Sequence, residues 1–391
     1  MINNLLSDIS YLSINHDKEK LCGDHVEISE FDGNNSIVVL ADGLGSGVKA
    51  NILSTLTSKM LSTMMSGNIP IEDCVKQVAE TLPTCKERGI AYSTFTIAKI
   101  KNNKYLEIYN FDNPPCFMLR EGKLFPLPYN EETIEQKRII HSKVNLKEGD
   151  AIFIVSDGVI HAGIGQSLNF GWSINDVIEF MEGLYSDYLS SKSLATILIS
   201  HVNGLYAKHP GDDATCAVIK IKRRKQVNLI IGPASIKEDD ERMMSLFFAK
   251  DGKHIVCGGT TSHLAADHLK EELEFPLDYL DKEIPPTARI QGVDLVTEGV
   301  ITLNRVYEYS LDVLSSNDKY FDWSYKMDGA SQIARALFED ATDINFFVGC
   351  AINPAHQKEG LPIKFSTKLQ LIEALSENLK KMNKNIKVSY F

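Results

Sequence analysis

Four short segments each set an aspartate beside a glycine: Gly23-Asp24, Ala41-Asp42-Gly43-Leu44-Gly45-Ser46-Gly47, Ser156-Asp157-Gly158 and Gly211-Asp212-Asp213-Ala214-Thr215. Asp-Gly is a common turn dipeptide, so any one of them alone reads more readily as an ordinary turn. Their surroundings say more. Asp42 follows the apolar run 37–40 and Asp157 follows 152–155, so both carboxylates emerge at strand ends, while Asp212 and Asp213 stand just before a strand starting at Thr215. If these ends meet, three or more carboxylates share one pocket, and their repulsion raises their pKa values unless a cation neutralises them. No His or Cys stands at comparable positions, and an all-oxygen ligand set favours Mg²⁺ or Mn²⁺ over Zn²⁺. Gly43 lets a backbone carbonyl approach such an ion closely.

The elements that must position these residues come in blocks. Segments 36–40, 91–100, 105–111, 151–155 and 215–221 are β-rich, several with period-two alternation. Val48, Ile52, Leu56, Met60 and Met64 recur every four residues, and Ile71, Val75, Val78, Ala79 and Leu82 repeat the helical stripe downstream. A second helix pair follows, marked by Ile174, Val177, Ile178, Met181, Leu184 and Tyr185, then by Leu194, Ile197, Leu198, Val202 and Leu205. Blocks of strands and helices favour α+β layers over a doubly wound sheet. The basic run Lys220-Ile221-Lys222-Arg223-Arg224-Lys225-Gln226 separates one strand-like segment from another and marks a domain boundary, giving domains 1–222 and 226–391. In the second, strand-like segments 227–231, 253–257, 293–296, 345–348 and 387–391 alternate with helical stretches 239–249, 262–273, 331–340 and 367–382, the pattern of a compact α/β domain.

Composition narrows the function classes. The 391 residues are 43% hydrophobic and 24% charged, an ordinary globular balance. Lys and Arg number 41 against 52 Asp and Glu, a formal charge of -11, which argues against a dedicated nucleic-acid or anionic-membrane binder. No apolar stretch approaches ~18 residues and the start lacks a cationic leader, so a cytoplasmic location is expected. Seven scattered cysteines (Cys22, Cys74, Cys85, Cys116, Cys216, Cys257, Cys350) form no Cys-x-x-Cys pair and read as reduced packing residues.

The four acidic motifs, in this order, resemble the metal-dependent serine/threonine phosphatases of the protein phosphatase 2C superfamily, and are most similar to the bacterial branch typified by SpoIIE. The segment Asn113-Pro114-Pro115-Cys116-Phe117-Met118-Leu119-Arg120-Glu121-Gly122-Lys123 resembles that branch's Pro-rich hairpin, and the resemblance covers about residues 21–221. It implies a β-sandwich of two antiparallel sheets flanked by helix pairs, with two Mn²⁺ or Mg²⁺ ions in a cleft at one end. By the family's pattern Asp42 bridges the ions with the Gly43 carbonyl on one of them, Asp157 and Asp212 complete the other, and Asp24 acts through a metal-bound water. Asp213 is the less favoured of the last two acids, though its position does not decide which one points inward. Two ions ~4 Å apart can lower the pKa of a bridging water and neutralise phosphoryl charge. The implied substrate is a phosphorylated regulatory protein, hydrolysed at phosphoserine or phosphothreonine.

Three positions depart from relatives. Leu44 stands where eukaryotic members carry a His proposed as general acid, His161 stands where an acidic residue is usual, and no Arg near Gly23 matches a phosphate clamp. The spacing of Gly43, Gly45 and Gly47 lacks the last glycine of a dinucleotide loop. His254, His263 and His268 have no metal-ligand spacing. In the second domain Gly232-Pro233-Ala234-Ser235, Gly258-Gly259-Thr260-Thr261-Ser262 and Thr297-Glu298-Gly299 follow expected strands, where α/β domains take small ligands, so a small molecule or protein could be sensed there. Turn and N-cap chemistry explains the same residues equally well. A catalytically silent phosphatase-like binding protein is the alternative to an enzyme.

Overall fold

The computed structural model describes residues 4–81, 93–134, 137–275, 284–351 and 368–391. Cys85, Leu82, positions 91–92 and Thr367 of the sequence expectations lie outside those residues. The other six cysteines are free thiols. Among the described residues no helix is long and apolar enough to cross a membrane. The chain divides into two units, Met1–Arg223 and Arg224–Phe391.

The first unit contains β1 (Leu5–Ile14), β2 (Asp24–Phe31), β3 (Asn35–Gly43), α1 (Gly47–Ser66), α2 (Ile71–Thr81), β4 (Ser93–Lys101), β5 (Tyr105–Phe111), β6 (Phe117–Arg120), β7 (Lys123–Phe125), β8 (Asn130–Ile134), β9 (Lys137–Asn145), β10 (Ala151–Val155), α3 (Asp157–Ile160), α4 (Ile174–Leu184), α5 (Ser191–Leu205) and β11 (Ala214–Arg223). Two antiparallel sheets result, ordered β2-β3-β4-β5-β9-β8 and β1-β11-β10-β6-β7. The runs 37–40 and 152–155 lack polar alternation because each strand is covered on both faces. Ile37, Val39 and Ala41 pack with Leu53 and Leu61 of α1 and Cys74, Val75 and Val78 of α2, whereas Val38 and Leu40 meet Ile152, Ile154, Ala217 and Ile219 of the other sheet. Phe153, Val155, Cys216 and Val218 in turn pack with Val177 and Met181 of α4 and Leu194, Leu198 and Val202 of α5. The outcome is a helix–sheet–sheet–helix sandwich of the α+β, phosphatase 2C-like kind. Lys220 of β11 is fully buried, and its ammonium donates to the carbonyls of Ser186, Asp187 and Leu189, tying the α4–α5 connection to the sheet.

The helix expected from Val48, Ile52 and Leu56 is present as α1, but its amino-terminal half points the other way. Those three residues are 62%, 53% and 46% exposed, while Ala50, Leu53, Ser54, Thr57, Ser58 and Ser62 face the sheet. The reason is local: Ser58 and Ser62 have partners on β2, the His25 ring at 2.7 Å and the Ser29 hydroxyl at 2.7 Å, so small polar residues let the helix lie close to the strand. β1, which pairs along its whole length with β11, has no counterpart among the sequence expectations. Its sequence alternates Ser and Asp with apolar residues too weakly to announce a strand.

The second unit contains β12 (Gln226–Ile231), α6 (Asp240–Phe248), β13 (Lys253–Cys257), α7 (Gly259–Leu269), β14 (Leu295–Thr297), α8 (Val300–Leu314), α9 (Tyr320–Trp323), α10 (Gly329–Ala334), β15 (Asp343–Val348), α11 (Lys368–Lys381) and β16 (Asn385–Tyr390). Its sheet is wholly parallel, ordered β14-β13-β12-β15-β16, so this is an α/β domain whose strands are joined through helical crossovers. Met243, Met244 and Phe247 of α6 and Ala265 and Ala266 of α7 pack on Ile230, Val256, Val296 and Phe347. The strand expected at 293–296 is the shorter β14, and the fifteen-residue helix α8 lies where no helix was expected. α7 stops earlier than the stretch to 273, because Lys270 takes a left-handed φ of 59°.

Candidate metal centre

Period two puts Asp42 on the same face of β3 as Val38 and Leu40, between the sheets and at their open end. Asp24, the first residue of β2, is its register partner. From the other sheet, Asp157 follows β10 as the first residue of α3, and Asp212 and Asp213 precede β11, with the Ser156 amide donating to the Thr215 carbonyl to hold the two ends side by side. The structure thus brings all five aspartates singled out in the sequence to one end of the sandwich.

Their electrostatics follow from that crowding. Burial, then the charges of Asp24, Asp157 and Asp212, push the Asp42 carboxyl well above the usual carboxylate range, and it is hydrogen-bonded to the Asp157 side chain. Burial likewise pushes Asp24 up, with Asp213 and Asp157 adding to the rise and the nearby Ser156 and Thr215 hydroxyls opposing it. Asp212 is raised by burial and by Asp157, partly offset by the Asp213 amide and by His16. The Asp24 side chain is 4% exposed, and both of its oxygens are buried without a hydrogen-bond partner of ordinary geometry.

Three glycines let the backbones approach. A Cβ on Gly43 would overlap the Ala50 carbonyl at the start of α1, one on Gly158 would overlap the Asp213 carbonyl, and one on Gly23 would lie 2.8 Å from Asp213 Oδ2. The carboxylate of Asp213 accepts from the His16 amide through Oδ1 and from the Gly23 amide through Oδ2, both at 2.9 Å, while its own amide donates to Asp212 Oδ1 at 2.9 Å. Tyr206 donates its hydroxyl to the Gly158 carbonyl at 2.8 Å, and its phenol pKa is pushed up by burial and by Asp212 and Asp157.

Sequence reasoning missed His16, Cys22, Glu19 and Tyr206. Cys22 Sγ lies 3.9 Å from Thr215 Oγ1, and burial together with Asp24 and Asp213 pushes its thiol pKa up. The Glu19 carboxylate closes over Gly47 at the amino end of α1. No motif marks residues 15–22; only their position immediately before Gly23-Asp24 points to the site. Leu44 is 39% exposed, and His161 caps α3 at its exposed carboxyl end.

An all-oxygen cluster with raised acid pKa values and an orphaned buried carboxylate fits hard divalent cations. Among the described residues no three His, Cys, Asp or Glu side chains already stand close enough to hold an ion by themselves. Mg²⁺-like ions use one or two carboxylates and complete their shells with water, so a gathered trio is not required.

The family profile of stage II sporulation protein E (SpoIIE) matches residues 32–222. No curated protein sequence matches the chain. Among solved structures, the phosphatase domain of SpoIIE from Bacillus subtilis is 19% identical, with a TM-score of 0.44, over 56% of this chain and 94% of that one. RsbX in complex with magnesium is 19% identical, with a TM-score of 0.39, over 55% of this chain and 96% of that one. The SiaA-PP2C domain of Pseudomonas aeruginosa is 13% identical, with a TM-score of 0.42, over 54% of this chain and 85% of that one. The segment 32–222, which holds most of the sandwich and three of the four acidic motifs, thus matches the SpoIIE family.

Proposed function

We propose that residues 1–222 form a metal-dependent phosphatase domain that hydrolyses phosphoserine or phosphothreonine in a phosphorylated regulatory protein, and that residues 226–391 regulate it or select its partner by sensing a small molecule or protein. The observation that carries the reading is the meeting of Asp24, Asp42, Asp157 and Asp212 at one end of both sheets, where burial and then neighbouring carboxylates raise the acids of Asp24, Asp42 and Asp212.

Two Mn²⁺ or Mg²⁺ ions would be held by Asp42, the Gly43 carbonyl, Asp157 and Asp212, with Asp24 behind them. When bound, such a pair supplies the positive charge that makes water nucleophilic at neutral pH and screens the phosphoryl oxygens. The chain's own part is to hold that charge in place. Asp42, anchored by Ser93 donating to its carbonyl at 2.8 Å, is fixed on a strand buried on both faces, and Asp157 is fixed by the continuous β10–α3 backbone. With Leu44 in place of a His, no imidazole stands two residues after Asp42 to protonate the leaving alkoxide, and water takes that task.

The test is Mn²⁺-stimulated hydrolysis of an aryl phosphate and of phosphopeptides by the full chain, abolished by Asp42→Asn and by Asp157→Asn. Activity that survives both changes removes the mechanism. A second reading, a phosphatase-like chain that binds without turning over, predicts phosphoprotein binding with no hydrolysis at any metal concentration. Rapid turnover of a small ester with phosphopeptides ignored would reassign the substrate class.

A further inference from the structure

Asp213 belongs to the same acidic turn as Asp212, yet its carboxylate is engaged by backbone far away in the chain. It is 3% exposed. Its two oxygens each accept one backbone N–H, from His16 and from Gly23, residues 197 and 190 positions away in the chain. Its amide donates to Asp212 Oδ1, and its carbonyl fills the place a Cβ on Gly158 would take. Gly23 and Gly158 each adjoin another aspartate of the cluster, Asp24 and Asp157. One residue therefore touches the backbone beside Asp24, the backbone beside Asp157 and the side chain of Asp212.

We propose that Asp213 is a positioning residue that sets the spacing of Asp24, Asp157 and Asp212, and is not itself a metal ligand. The inference rests on the metal-centre reading above. A carboxylate that satisfies two buried N–H groups is costly to replace, because the donors are left without acceptors. Asparagine does not reproduce it: one of its two terminal groups is a donor, so either His16 N–H or Gly23 N–H would face an NH₂. The fit is mutual, since Gly23 has no room for a Cβ beside Oδ2.

The experiment is a Mn²⁺ titration of the full chain, counting bound ions by electron paramagnetic resonance, with amide hydrogen exchange over residues 16–23 measured in the metal-free protein. Asp213→Asn is expected to keep the ion count of the unaltered chain, to weaken Mn²⁺ binding about 10- to 100-fold as loss of an outer-sphere partner does, and to speed exchange in that segment. Gly23→Ala, which displaces the same carboxylate, should weaken Mn²⁺ binding similarly, and the double variant should be no worse than the poorer single one. Loss of one ion in Asp213→Asn with the remaining affinity unchanged makes Asp213 a ligand and overturns the proposal. Unchanged Mn²⁺ affinity with only a lower Tm overturns it too, leaving a merely structural residue. If the unaltered chain binds no Mn²⁺, the metal-centre reading itself fails, a result visible before any variant is made.

Discussion

Asp24 and Asp42 are register partners at the end of the β2–β3 pair, so two carboxyls are held across a strand gap, Asp24 buried and Asp42 half-buried. Burial raises both acids in the folded state, with Asp24, Asp157 and Asp212 adding to the rise at Asp42 and Asp213 and Asp157 adding to it at Asp24. A folded-state pKa above the unfolded value of about 4 means the native state binds more protons there, so these groups favour folding at low pH and the advantage is lost as pH rises through the raised values. In EDTA the Tm should therefore fall as pH is raised from about 5 toward 9. Mn²⁺ should reverse the trend, releasing protons as it binds and binding more tightly at higher pH. Thermal melts across pH with and without Mn²⁺ check this; a metal-free Tm that climbs with pH would contradict it.

Asp42→Asn should separate stability from activity. At about pH 9, where the raised Asp42 acid ionises, removing one repelling carboxylate is expected to raise the Tm of the metal-free chain by about 2–4 °C, the shift that ~1 kcal/mol gives a domain of this size. The same change should lower phosphatase activity on the order of 10³-fold and erase the Tm gain on adding Mn²⁺. A variant less stable in EDTA than the parent would mean that Asp42 is a structural acid.

Much of the site was legible in the sequence because Asp42 and Asp157 sit at the ends of unbroken apolar runs, and such runs must be strands covered on both sides. What was not legible depends on contacts between distant segments. Nothing in Asn15-His16-Asp17 announces that the His16 amide meets Asp213, and the β1 pairing with β11 spans the whole unit. The four-residue spacing of Val48, Ile52 and Leu56 correctly indicated a helix but not its orientation, because period alone does not say which stripe is buried when the opposite stripe consists of Ala, Ser and Thr small enough for close packing. In the second unit α8 is not legible, since its apolar residues are interleaved with Asn304, Arg305, Glu308 and Asp312 and its N-cap residue is a glycine, the Glu298 carboxylate taking the Ile301 amide instead.

The glycines around the cluster should respond unequally to alanine. Gly43→Ala drives a methyl into the Ala50 carbonyl and is expected to cost more than about 2 kcal/mol and most of the activity, since α1 must move away from Asp42. Gly183, within α4 and with open space where a Cβ would stand, should gain about 0.5–1 kcal/mol as alanine with activity unchanged. Urea denaturation and an aryl phosphate assay read both. Equal costs at the two sites would mean that α1 does not press on the strand end.

The reversed face of α1 gives the sharpest contrast between sequence pattern and structure. If the apolar stripe were the buried one, Ile52→Ser would open a cavity and cost about 2–5 kcal/mol. Because Ile52 is 53% exposed, the expected cost is below about 1 kcal/mol, mostly helix propensity. Leu53, its neighbour, is 5% exposed and packs against Ile37, Val39 and Ala41, so Leu53→Ala should cost about 2–5 kcal/mol. Ser58→Leu tests the other half of the claim. The hydroxyl is fully buried and bonded to His25, the next residue after Asp24, so a larger apolar side chain overpacks the helix–strand contact and removes the imidazole's partner. The expected destabilisation is about 1–3 kcal/mol, with weakened Mn²⁺ affinity because β2 carries Asp24 away from Asp42 as it yields. A stabilising Ser58→Leu would show that α1 is free to turn its apolar stripe inward.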